Sequence, residues 1–140
     1  MADTKYGKYL TRECLMENPK REGVFLNSTR HLKEFGGDIS VDSIFIKEPI
    51  LMITQPHQHE FPQYLHFFST NFDDVKDFDA EIQITLGEEG EVHIINSPTA
   101  VHVPAGLLHG PLNFVRIGKP VLFIDVAVSG SYSRVNDTPD

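Results

Sequence analysis

The chain has 140 residues, 40% of them apolar, a formal net charge of −8 and a single cysteine. That length suits one domain with one core, and no apolar run approaches the ~18 residues of a membrane-spanning helix. The acidic balance argues against nucleic acid and against an anionic membrane surface, both of which need a basic face, while the lone Cys14 excludes an intrachain disulfide and any Cys-rich zinc module.

The first stretch, MADTKYGKYLTRE, is polar and mixed in charge. It has no apolar core of a signal peptide, so a cytoplasmic setting is the expectation. Residues 1–27 read as an arm with a short strand at Gly23–Leu26. In STRHLKEFGG, Ser28 can cap and Gly36–Gly37 can stop one or two turns of helix, with a solvated loop as the alternative. The character then changes. ISVDSIFI, ILMIT, YLHFF, EIQITL, EVHII, TAVHV, LNFVRI and VLFIDVAV are short, rich in Val, Ile and Phe, and bounded by Gly, Pro, Asn or Asp. That is the pattern of an all-β sandwich or barrel. LGEEGE reads as a hairpin turn, with Gly87 or Gly90 supplying a positive φ. The expected organisation is therefore an arm with one short helix over 1–38, a β body over 39–128 and a polar tail over 129–140.

Against this background HQHEFPQYLH, residues 57–66, stands out. On a regular strand His57, His59, Phe61, Gln63 and Leu65 share one face, and His66 points to the other. Two imidazoles at i and i+2 converge well on a metal, although chance on a solvated strand produces the same pair. A second piece, PAGLLHGPLN, spans residues 104–113. Pro104 ends a strand, Gly106 lets the backbone reverse, and His109 falls where a returning strand begins. A histidine there can swing over the face that carries His57 and His59.

Together, in this order and set among short strands, the pieces resemble the two motifs of the cupin superfamily. The first motif is HxH followed by three or four residues and Glu; here it reads His57, His59 and then Gln63. The second, PxGxxHxxxN, is matched in full by Pro104, Gly106, His109 and Asn113. The resemblance covers roughly Ile39 to Val128. It implies an all-β jelly-roll barrel, the double-stranded β-helix. It also implies one divalent transition metal per chain (Fe, Mn, Ni, Zn or Cu), held by His57, His59, Gln63 and His109. It further implies a homodimer pairing through N-terminal strands. The chain departs from the family pattern at four points: Gln63 in place of Glu, Thr70 and Pro98 each in place of a glycine, and a longer loop at STNFDDVKDFDAE.

Gln63 can coordinate through its amide oxygen, or hydrogen-bond to a bound water or a histidine. With no carboxylate in the shell, a divalent ion keeps its full charge, which favours an anionic ligand. His66 and His93 read as surface or interface histidines. His102 reads as a satisfied strand residue, with a pocket proton carrier as the alternative. Tyr64 has the wrong parity for the pocket, Asn113 suits the turn backbone, and Glu60 is a reserve ligand. Phe61, Leu65, Leu107, Phe114 and Phe123 are core residues that can wall a pocket. Two functions are open: a metal-dependent enzyme (dioxygenase, isomerase, lyase or decarboxylase) acting on a small oxygen-rich molecule, and a non-catalytic small-ligand binding or sensing module. A barrel that has lost its metal is a third.

Overall fold

Every apolar run after Gly37 forms a strand. The structure, a computed structural model, describes residues 4–19, 21–28 and 38–129. Its strands are β1 (Leu15–Glu17), β2 (Phe25–Ser28), β3 (Ser40–Ile46), β4 (Ile50–Ile53), β5 (Gln63–Ser69), β6 (Ala80–Leu86), β7 (Glu91–Ile95), β8 (Thr99–Val103), β9 (His109–Ile117) and β10 (Val121–Ala127). The strand expected at Gly23–Leu26 lies two residues later, as β2. It pairs with β1, which the sequence reading did not anticipate. The only helical element among the described residues is a 3-10 turn at Gly7–Tyr9. The short helix expected after Ser28 lies outside the described residues.

Two antiparallel sheets form the jelly roll, with strand orders β1-β2-β3-β10-β5-β8 and β4-β9-β6-β7. Their inner faces meet in one core. Phe67 and Phe123 from the first sheet and Phe114 from the second form a ring cluster with centroids 5.1–6.0 Å apart. Ile82, Ile84, Leu112 and Val121 close around it. Such rings contribute the largest share of buried apolar area and favour offset or edge contacts. Both glycines of the LGEEGE hairpin have positive φ, +82° at Gly87 and +68° at Gly90, and Gly90 N–H donates to Gly87 O across the turn.

Directly opposed residues of antiparallel strands share a face, so the register defines the inner surface row by row. One inner row runs Ser40, Ala127, Gln63, Val103, and the next runs Asp42, Asp125, Leu65, Val101. Deeper rows are apolar, as in Ile44, Phe123 and Phe67. The barrel is therefore polar at one end and dry at the other. The outer face of the same sheet is unexpectedly apolar. Its rows are Val41, Val126, Tyr64, His102, then Ser43, Ile124, His66, Ala100, then Phe45, Leu122, Phe68.

The long loop between β5 and β6 is braced by its own side chains. Ser69 Oγ donates to Asp77 O at 2.6 Å, and Asn71 Oδ1 accepts from the N–H groups of Asp73 and Asp74. Lys119 reaches Asp77 (2.9 Å) and Asp79 (3.3 Å), and Arg116 reaches Asp79 (2.9 Å). The hydrogen bonds from Lys119 and Asn71 hold the Asp77 carboxyl below its ordinary value. Those from Arg116 and Lys119 do the same for Asp79, and Lys119 is raised in turn. Thr70, in place of a glycine, donates its hydroxyl to Pro120 O at 2.6 Å.

Candidate metal centre

The two motifs are joined by their backbones. His57 N–H donates to His109 O at 2.8 Å, and His109 N–H returns to His57 O at 2.9 Å. Residues that exchange both bonds sit directly opposite, with side chains on the same side. His59 O accepts from Gly106 N–H at 2.8 Å. Gly106 occupies the third position of the turn closed by Leu107 N–H to Pro104 O, and its φ of +83° is the conformation that position requires in this kind of turn. The Pro-x-Gly turn thus holds the second motif against the first.

The result is a cluster. His57, His59 and His109 are all buried, and their ligand atoms lie within 4.8 Å of one another. Ring centroids are 4.3 Å apart for His57 and His109, 4.9 Å for His57 and His59, and 5.3 Å for His59 and His109. His57 Nδ1 lies 3.3 Å from Gln55 O, and His109 Nδ1 lies 2.9 Å from Leu107 O. A carbonyl only accepts, so each Nδ1 carries the proton and donates. Nε2 is then the ligating nitrogen of each ring, the tautomer that metal-binding histidines commonly adopt. His59 is backed by Phe61, whose ring stacks on it at 4.8 Å.

One expectation needs correcting. His57 and His59 are not on a regular strand: His57 makes an isolated bridge, and β5 starts only at Gln63. Pro62, which cannot donate to a ladder, immediately precedes that start. The period-two pattern survives all the same. His57, His59, Phe61, Gln63 and Leu65 are buried, whereas Glu60 and Tyr64 are exposed.

Gln63, 2% exposed, lines the same cavity as His57 and His109. Its Nε2 donates to both oxygens of Asp125, at 3.0 and 3.3 Å. The opposite amide assignment would aim an oxygen at a carboxylate, so this one holds. Gln63 Oε1 is buried and has no hydrogen-bond partner among the described residues. Asp125 itself lines the cavity. The sequence reading missed it, although the signal was present. VLFIDVAV carries its aspartate on the parity of Val121, Phe123 and Ala127, which is the buried parity. A neutral three-histidine, one-amide shell is thus incomplete as an electrostatic description, because a carboxylate stands immediately behind the amide.

Met52, Ile53, Leu65, Ile84, Leu112 and Phe123 complete the wall. The free space is about 60 Å³. At roughly 10–15 Å³ per water-sized site it holds only a few atoms. The remaining candidates lie elsewhere. His102 and Tyr64 stack on each other at 4.9 Å on the outer face, and His66 stacks on Phe68 there. His93 pairs with Glu91 in solvent. Asn113 lies on β9 between the inward Leu112 and Phe114, and Leu107 packs against the core. Cys14 is half-buried in the N-terminal region.

No protein-family model matches the chain, and no curated protein matches it in sequence. Solved structures do match. The chain is similar to a variant of Bacillus subtilis oxalate decarboxylase with a TM-score of 0.55 and 16% identity, over 84% of this chain and 28% of that one. A deletion variant of the same enzyme matches with a TM-score of 0.55 and 16% identity, over 88% and 32%. A structure of that enzyme addressing its Mn(II) centres matches with a TM-score of 0.53 and 15% identity, over 81% and 27%. The chain spans about a third or less of the length of these neighbours. The likeness is one of fold, the jelly roll that the motif resemblance implies.

Proposed function

We propose that this protein binds one divalent transition metal through His57, His59 and His109, with Gln63 Oε1 as the fourth donor, and acts on a small oxygen-rich molecule. The observation that carries the reading is the convergence of three buried imidazoles within 4.8 Å of one another, two of which, His57 and His109, line one small cavity with Gln63. Burying three polar rings is costly unless each is satisfied. The two Nδ1 bonds direct the opposite nitrogens of His57 and His109 away from the backbone, as ligation requires. A metal held there supplies Lewis acidity to ligand oxygens. The chain's own contribution is to orient the donors and to line the rest of the cavity with apolar groups. The four donors are neutral and Asp125 stands behind the amide rather than on the ion, so the open positions of a divalent ion suit a small anion. Decarboxylation of a short carboxylate is the first reaction to test, because the structural neighbours are oxalate decarboxylases.

A specific observation favours the second reading, a non-catalytic binding or sensing module. Both oxygens of Asp125, the cavity carboxylate, accept from Gln63, so that carboxylate is engaged rather than waiting for a substrate proton. Turnover on a panel of small carboxylates, oxalate included, separates the two. Metal content decides the common premise: untagged protein should carry about one divalent metal per chain, and His57→Ala or His109→Ala should lose it. Full retention in either variant removes the site.

The apolar outer rows support a homodimer. Phe45, Tyr64 and Phe68 are each 39–52% exposed on one continuous face, and such faces mark association surfaces. A cytoplasmic setting suits the lone cysteine, and no helix among the described residues is long and apolar enough to cross a membrane.

A further inference from the structure

The chain lacks the carboxylate that the first motif carries at position 63, and places one a hydrogen bond away on a neighbouring strand. We infer that Asp125 is a positioning residue that locks the Gln63 amide with Oε1 turned to the three histidines. This rests on the metal-site reading above and deepens it.

A primary amide is ambiguous as a ligand. Its two ends are nearly equal in size, and a half-turn about the last side-chain bond exchanges an oxygen lone pair for two N–H groups. An N–H end facing a cation binds nothing and repels it. Gln63 therefore needs a group that accepts hydrogen bonds and never donates them, placed on the side away from the site. A carboxylate is that group. Asp125 meets the requirement with both oxygens on Nε2, at 3.0 and 3.3 Å. The strand register makes the arrangement firm. Gln63 opposes Ala127 and Asp125 opposes Leu65, so the two polar side chains sit diagonally on the inner face of β5 and β10. Ala127, a small residue that is 1% exposed, leaves room for the amide to lean across toward Asp125. Oε1 is then left without a hydrogen-bond partner in a buried site, which is the expected state of a ligand atom awaiting a cation. Asp42, the cross-strand partner of Asp125 on β3, sets a second carboxyl group beside it on the same inner row.

This arrangement changes what the obvious substitution should do. Gln63→Glu supplies a charged ligand, but it also removes both N–H donors and sets a carboxylate against Asp125. The gain at the metal and the clash behind it oppose each other. Asp125→Asn relieves the clash, because an Asn Nδ2 can donate to the new glutamate. The exchanged pair Gln63→Glu with Asp125→Asn keeps the hydrogen bond with its direction reversed and delivers the carboxylate to the histidines.

The test is chelator competition with Zn(II) and Mn(II) on purified full-length protein in four forms: wild type, Asp125→Asn, Gln63→Glu and the exchanged pair. Thermal melts of the metal-free forms check folding. Asp125→Asn alone should weaken the metal about 10–100-fold, the usual cost of losing a group that orients a ligand. Gln63→Glu alone should bind more weakly than the exchanged pair by at least tenfold, and the exchanged pair should bind at least as tightly as wild type. A merely structural aspartate, or one that coordinates directly, predicts instead that Gln63→Glu alone binds at least as tightly as the exchanged pair. That result overturns the proposal, as does Asp125→Asn within threefold of wild type. Should Asp125→Asn not fold, the comparison of Gln63→Glu with the exchanged pair decides alone. Retention of metal in His57→Ala, by contrast, defeats the metal site itself, whatever the four forms show.

Discussion

Gly110→Ala tests how tightly the proposed metal centre is built into its backbone. Gly110 follows His109, is buried, and has φ +104°, a conformation that L side chains rarely adopt. Forcing a Cβ into positive φ costs about 1–2 kcal/mol. The same Cβ would also meet Gln55 O at 2.9 Å and Ile53 Cγ2 at 3.1 Å. The first contact is backbone, so it cannot be relieved by a rotamer change. Pushing it away moves the chain two residues before His57, whose Nδ1 bonds that same carbonyl. Overpacking of this kind costs a further ~1–3 kcal/mol. The sum is roughly 2–5 kcal/mol, against a total stability of about 5–15 kcal/mol for a typical domain. With a urea slope near ~2 kcal/mol/M, the unfolding midpoint of the metal-free protein should fall by about 1–2.5 M. Gly90→Ala is the control. Its φ is +68° and no heavy atom lies within 4 Å of the added Cβ, so it should cost only the backbone share, ~1–2 kcal/mol. Metal affinity should drop in Gly110→Ala and stay unchanged in Gly90→Ala. Equal destabilisation by the two variants would refute the argument, because the contact with Gln55 O would then carry no energy.

Other outcomes follow from the same structure. Phe114→Ala should cost about 3–5 kcal/mol in urea unfolding, because a ring that is 0% exposed leaves a cavity between the two sheets; a loss under ~1 kcal/mol would mean that the sheets are not packed through it. Asp77 and Asp79 titrate below their ordinary value of 3.8 in the folded protein. Their stabilisation is complete above that value and lost as pH falls through the lowered one, so Asp77→Asn with Asp79→Asn should lower the urea midpoint at pH 7 and flatten its dependence on pH below about 4. Both groups lie at the surface, so the effect should shrink at high salt, and a salt-independent difference would point to another cause. Phe45→Ser with Phe68→Ser should shift the protein toward monomer in sedimentation without loss of metal, and an unchanged sedimentation profile would exclude the outer sheet face as the association surface.

Period-two alternation from Ile39 onward is a local property, set by the geometry of an extended chain, and it marked the eight strands β3 to β10 and the buried parity from His57 to Leu65. It held even where the strand did not, because burial selects side chains whether or not the ladder is complete. Composition likewise pointed to Gly87 or Gly90 and to Gly106 as turn glycines, and all three have positive φ, since that is a requirement of one residue at one position. The N-terminal strands were less legible. β1 is exposed throughout, so no apolar pattern announces it, and it exists through pairing with β2. What tertiary structure alone decided is the meeting of distant parts. His57 and His109 are opposed by a backbone bridge across fifty-two positions of sequence, and the outer sheet face becomes one apolar surface only when four strands are set side by side. Asp125 shows the division most clearly. Its inward parity could be read from VLFIDVAV, but its partner could not. Gln63 and Asp125 lie sixty-two positions apart, and only the register of β5 on β10 puts the amide of one against the carboxylate of the other.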